Sequence, residues 1–117
     1  MEIVEKVKIG FLDKEEEIEA RIDTGAEVTM FDEEVLLKLG VTHAGNRLVD
    51  FGGQKKENMP VYHPLYMRIR DCVINFPEVI GGKKNLIGHD ILQKAKAVID
   101  EGKGIVEFPE DDGTIEM

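Results

Sequence analysis

Two stretches near the start of the chain alternate apolar and polar residues with a period of two. Val7, Ile9 and Phe11 alternate with Lys6, Lys8 and Gly10, and Ile18, Ala20 and Ile22 alternate with Glu17, Glu19 and Arg21. That period puts the apolar set on one side of a pleated strand and the polar set on the other, so both runs read as half-buried β-strands joined across residues 12–16. Short extended runs continue along the chain at 28–31, 48–51, 59–69, 72–76, 79–80 and 85–88. Pro60 and Pro64 give the long run an edge or a bend.

Only two segments read as helix. Asp32 has the character of an N-cap, with Glu33 and Glu34 in the first turn, Val35, Leu36 and Leu39 facing inward, and Gly40 as the stop. Asp90 is expected to cap a second helix over 91–96. A hairpin over 98–108 follows, turning at 100–104. The expected class is mainly β, closed or sandwich-like, with two short helices.

At 117 residues, 42% of them hydrophobic, the chain has the length and composition of one globular domain. Fifteen basic residues against 24 acidic ones leave a formal charge of -9. That balance repels nucleic acid on average and favours cationic partners. Cys72 is the only cysteine, so no disulfide forms within the chain; a reducing, cytoplasmic setting is the expectation, with Cys72 a small hydrophobe in a strand. No apolar run approaches the ~20 residues of a membrane helix, the first residues do not read as a signal peptide, and no membrane partner is expected. His43 and His63 stand alone, and neither reads as a metal ligand.

Asp23-Thr24-Gly25 is the segment with chemical potential. A strand delivers the aspartate to its end, the threonine hydroxyl can fix a neighbouring group, and the glycine permits a tight turn and close approach of a ligand backbone. The ordinary reading of those three residues is an Asx-type turn between strands.

The longer string Ala20-Arg21-Ile22-Asp23-Thr24-Gly25-Ala26-Glu27-Val28-Thr29-Met30 resembles the active-site segment of retropepsin-like aspartic proteases. Further along, Leu86-Ile87-Gly88-His89-Asp90-Ile91-Leu92 is similar to that family's second signature, and Gly52-Gly53 lies between the two, where the family has its flap. The resemblance covers 7–108. It implies a retropepsin-like (acid protease) domain over 1–108 forming a closed β-barrel, one lobe per chain; the tail over 109–117 is acidic and, by its own composition, expected to be mostly loose.

It also implies an aspartic endopeptidase without metal or cofactor. Metal-free peptide hydrolysis by this route uses one carboxylate to activate a water and one carboxylic acid to polarise the carbonyl; two such groups ~3 Å apart share a single proton. The chain has one Asp-Thr-Gly, so the second aspartate must come from an identical chain across a two-fold axis, and the active species is a homodimer. By the same resemblance Asp23, Thr24 and Gly25 are catalytic, with Thr24 bonding across to the other subunit. Ala26, Glu27, Gly52 and Gly53 border the peptide or protein substrate, and Gly88, His89 and Asp90 support the site.

The string departs from the viral pattern at Glu27, where aspartate is common, and at His89, where arginine is usual; either a Glu27–His89 contact replaces their ion pair, or His89 is simply a polar residue at the start of the helix. The acidic, proline-led end is a poor interface strand, so the dimer contacts are expected to differ from the viral ones. The alternative is a dimer of the same fold that binds peptides or proteins without cutting them. An aspartyl-phosphate phosphatase needs a second aspartate two residues on, and position 25 is glycine.

Overall fold

The alternation at the start of the chain becomes a hairpin in the computed structural model, which describes residues 2–50, 56–108 and 113–117. Strands β1 (Val4–Phe11) and β2 (Lys14–Ile22) pair antiparallel, with Phe11 opposite Lys14, so the turn is only Leu12 and Asp13. Leu12 takes φ 56 there. Val7, Ile9, Ile18 and Ala20 turn into the core, while Lys8 faces Glu17 and Lys6 faces Glu19 across the polar side. Opposite charges in such facing positions stabilise the register by about 0.2–1 kcal/mol each.

Strand β3 (Met30–Asp32) leads into helix α1 (Glu33–Leu39), whose ends match the sequence expectation. The Asp32 side chain accepts from the Glu34 amide, and Gly40 closes the helix at φ 80 while its N–H reaches the carbonyls of Leu36 and Leu37. Then come β4 (His43–Asp50), β5 (Lys56–Tyr62), β6 (Leu65–Ile69), β7 (Cys72–Phe76), β8 (Val79–Gly82) and β9 (Leu86–Ile87). The run expected over 59–69 breaks at His63 and Pro64, between β5 and β6. Helix α2 (His89–Lys94), the separate hairpin β10 (Val98–Asp100) with β11 (Ile105–Glu107), and β12 (Thr114–Glu116) complete the described order.

Ten strands form one sheet in the order β12-β7-β6-β1-β2-β9-β3-β8-β5-β4. It is curled like half a barrel, and the expected closure does not occur. Closure requires β4 and β12 to pair. Along β4 only Val49 is fully buried, so that strand has no apolar face with which to seal a barrel. The expectation of a mostly loose C-terminal tail also needs correction: Thr114–Glu116 pairs parallel with β7, and Asn75 Nδ2 donates to Glu116 Oε1 at 2.9 Å.

The main core is built from Ile9, Phe31, Leu36, Met67, Ile74, Ile87, Ile91, Val106 and their neighbours, with Phe31 and Phe76 meeting edge to face at 5.8 Å. Each large aliphatic side chain buried in this way contributes about 1.5–3 kcal/mol. A smaller cluster of Ala26, Met30, Val49, Val61, Ile80 and Leu86 lies beneath the turn after β2. Cys72 is buried in β7. No helix among the described residues is long and apolar enough to cross a membrane.

Candidate functional site

The position of Asp23 follows from an unusual strand arrangement. Strand β9 runs between β2 and β3, parallel to the first and antiparallel to the second. The connection from 23 to 29 therefore has to pass around the end of β9, and Asp23 begins that passage with its N–H donating to the Ile87 carbonyl at 2.9 Å. The chain turns at once: the Gly25 amide donates to Asp23 Oδ1 at 3.0 Å and the Ala26 amide to the Asp23 carbonyl at 3.2 Å. This is an Asx turn, so the ordinary reading of Asp-Thr-Gly holds as local geometry. Its effect is to fix one carboxylate oxygen and turn Thr24 and Gly25 outward, where both are exposed.

The other oxygen, Oδ2, accepts from Arg21 Nη2 at 3.2 Å, and the same guanidinium stands 3.8 Å from Glu2 Oε1. Arg21 lies near the end of β2 and Asp23 directly follows the strand, two residues on, which brings the two side chains to the same side. Both side chains are about one-third exposed, and such a pair contributes under ~1 kcal/mol to stability. Its importance is chemical: a cation occupies the oxygen that points away from the turn.

The segment is held from behind by a network of hydrogen bonds. The His89 amide donates to the Ala26 carbonyl at 2.7 Å and the Asp90 amide to the Glu27 carbonyl at 3.3 Å. Thr29 is buried although its side chain is polar. Its hydroxyl donates to Asp90 Oδ1 at 2.8 Å and accepts from the Gly88 amide at 3.0 Å, while its own amide donates to Asp90 Oδ2 at 3.1 Å. Asp90 Oδ1 also accepts from the Ile91 amide at 2.8 Å. A Cβ at position 88 would overlap the Val28 carbonyl, so glycine is required for the two segments to lie this close.

Asp90 therefore does not cap α2, as its sequence context predicts. Gly88 is the N-cap and has no side-chain cap bond; the Asp90 carboxylate turns to Thr29 instead. The expected Glu27–His89 contact is also absent. Both side chains are exposed and border a recess of about 350 Å³ with Thr24, Gly25, Ala26 and Asp50, but no ion pair or side-chain hydrogen bond joins them. The backbone amide of His89, not its imidazole, joins the two segments. Thr29 was not singled out from the sequence, although a hydroxyl between Val28 and Met30 in an otherwise apolar run is a signal that it has a buried partner. Gly52 and Gly53, the expected flap tip, lie outside the described residues.

Asp23 borders a cleft of about 710 Å³. Ala26, Met30 and Leu86 form its apolar side, Met59 and Pro60 of β5 face them, and Arg21, Glu33, Glu57, Lys83 and Lys84 bring charge to its walls. Tyr62 Oη donates to Glu33 Oε2 at 2.6 Å; burial first, and the Glu33 carboxylate second, push the Tyr62 phenol up to about 12. A second groove of about 500 Å³, lined by Phe11, Leu12, Tyr66, Phe76 and Met117, contains none of the expected site residues. Among the described residues no three His, Cys, Asp or Glu side chains stand together to hold a metal ion. No protein-family model matches the chain, and no curated protein matches it in sequence.

Proposed function

We propose that the chain is one half of a retropepsin-like aspartic endopeptidase that acts as a homodimer on extended peptide segments. The observation that carries this reading is the setting of Asp23. Its carboxylate stands at the lip of a large cleft, with one oxygen fixed by the Gly25 amide and the turn clamped from behind by Thr29 and Asp90. Thr24 and Gly25 project from the same edge, which leaves them open to a second copy. A fixed carboxylate at a cleft is what general base catalysis requires, since the base must lie within hydrogen-bond reach of the proton it removes.

In that dimer two Asp23 side chains share one proton. The ionised carboxylate takes a proton from a water as its oxygen attacks the peptide carbonyl carbon, while the protonated one donates to the carbonyl oxygen. The tetrahedral intermediate then loses the C–N bond, with a proton passing to the leaving nitrogen, and the dyad regains its shared proton. No metal or cofactor enters these steps.

Arg21 favours a second reading. A guanidinium on Oδ2 competes for the oxygen that hydrolysis needs open, and a dimer that keeps this ion pair binds peptides without cutting them. One experiment separates the two. Wild type and Asp23→Asn are incubated with a peptide library from acid to neutral pH, with and without a mimic carrying a tetrahedral hydroxyl in place of the scissile carbonyl. Cleavage that the Asn variant lacks and the mimic blocks supports the endopeptidase. Peptide binding by both proteins without products supports the binding module.

A further inference from the structure

Three charged groups in the Asp23 cleft are exposed. Lys83 and Lys84 sit exposed in the turn between β8 and β9, and Glu57 is exposed on β5; none forms an ion pair among the described residues. Arg21 is committed to Asp23 and Glu2. Glu33 differs from all of these. Its Oε2 accepts from Tyr62, whose side chain is 4% exposed, and its Cγ lies against Gly81. A Cβ at position 81 would overlap the Tyr62 ring and crowd the Glu33 stem, so the glycine makes room for both. With a phenol shifted to about 12, Tyr62 remains a donor throughout the neutral range, and Glu33 is held as an acceptor. Its Oε1 has no hydrogen-bond partner among the described residues and is left for a ligand.

We propose that Glu33 is the specificity-determining residue of this cleft and selects peptide substrates that carry a basic side chain, lysine or arginine, at the position that reaches it. Preorganisation decides between the opposing charges. A half-buried carboxylate already locked by a buried donor loses little entropy on pairing, whereas an exposed lysine must be ordered and shed water, and pairs of that kind contribute little. The charge of the whole chain, -9, acts in the same direction by drawing cationic peptides to it. This inference rests on the peptide-cleft reading above and adds a substrate class to it.

The test uses fluorescein-labelled, otherwise polyalanine peptides with Lys, Gln or Glu at each position in turn, and measures both cleavage and binding by anisotropy. The proteins are wild type, Glu33→Gln, Tyr62→Phe and, as a control in the same cleft, Glu57→Gln. At one position Lys is expected to exceed Gln about tenfold in wild type and in the Glu57 variant. The ratio falls to about one in Glu33→Gln and to an intermediate value in Tyr62→Phe, where the carboxylate remains but is no longer held. Cleavage without a Lys preference, or a preference that survives in Glu33→Gln, overturns the inference and leaves the endopeptidase reading intact. If no peptide is cut, that reading fails, and the binding ratios still decide: a Glu33-dependent Lys preference supports the inference, and none overturns it.

Discussion

Thr29→Val removes one hydroxyl and keeps nearly the same shape, so it isolates the clamp behind Asp23. Two effects add. The Gly88 amide loses its acceptor at a buried position, at a cost of about 1–3 kcal/mol, and the Asp90 carboxylate loses the shorter of its two bonds from Thr29, a charged-acceptor bond of about 1.5–3 kcal/mol. Asp90 retains the Thr29 and Ile91 amides, which softens the second effect, so the expected loss is about 3 kcal/mol. For a domain of this length that lowers Tm by about 10 °C and the urea midpoint by about 2 M. Thr29→Ser keeps both hydroxyl bonds and loses a methyl, at about 1 kcal/mol. Urea titrations followed by circular dichroism measure both variants. A valine variant within about 0.5 kcal/mol of wild type, or a serine variant as unstable as the valine one, refutes the clamp.

The absence of a Glu27–His89 bond has its own consequence: a double-mutant cycle of Glu27→Gln with His89→Ala is expected to be additive within about 0.5 kcal/mol, and a larger coupling energy contradicts the geometry. Tyr62 makes stability fall at high pH. Because its folded value of about 12 lies above the ordinary 10, the unfolded chain releases the phenolic proton first, so this contribution is present below pH 10 and is lost as pH rises toward 12. The slope approaches about 1.4 kcal/mol per pH unit. The difference in unfolding free energy between wild type and Tyr62→Phe isolates it, because Tyr66, raised chiefly by its bond to Glu15, is common to both proteins. A pH-independent difference counts against the buried Tyr62–Glu33 bond.

What could be read from the sequence was what depends on near neighbours. The period-two runs at Val7–Phe11 and Ile18–Ile22 located β1 and β2, and the Asp32 and Gly40 signals bounded α1, because strand faces and helix caps are set within a few residues. The Asx turn at Asp23 is local in the same way. Features set by distant partners are not visible in this way. Asp90 has the sequence context of an N-cap, yet Thr29, 61 residues away, takes its carboxylate. Glu27 and His89 come from adjoining segments and border one recess, but the bonds between those segments run from the His89 amide to the Ala26 carbonyl and from the Asp90 amide to the Glu27 carbonyl. The sheet remains open with β4 exposed along most of its length, an outcome that depends on which strand lies opposite and is not visible in the strand's own mixed sequence. Thr114–Glu116 pairs with β7 although its own sequence, short and acidic, carries little strand signal.

The central claim is that Asp23 from two copies of the chain makes one active site. It is tested most directly by mixing wild type with Asp23→Asn at constant total chain concentration and measuring the initial rate of peptide cleavage. If each site needs an aspartate from both chains, only dimers of two wild-type chains cut. At equal proportions the rate then falls to about one quarter of that of wild type alone, following the square of the wild-type fraction. A rate of about one half, linear in the wild-type fraction, contradicts the shared dyad and assigns cleavage to single chains, and no cleavage by wild type at any concentration contradicts the endopeptidase altogether.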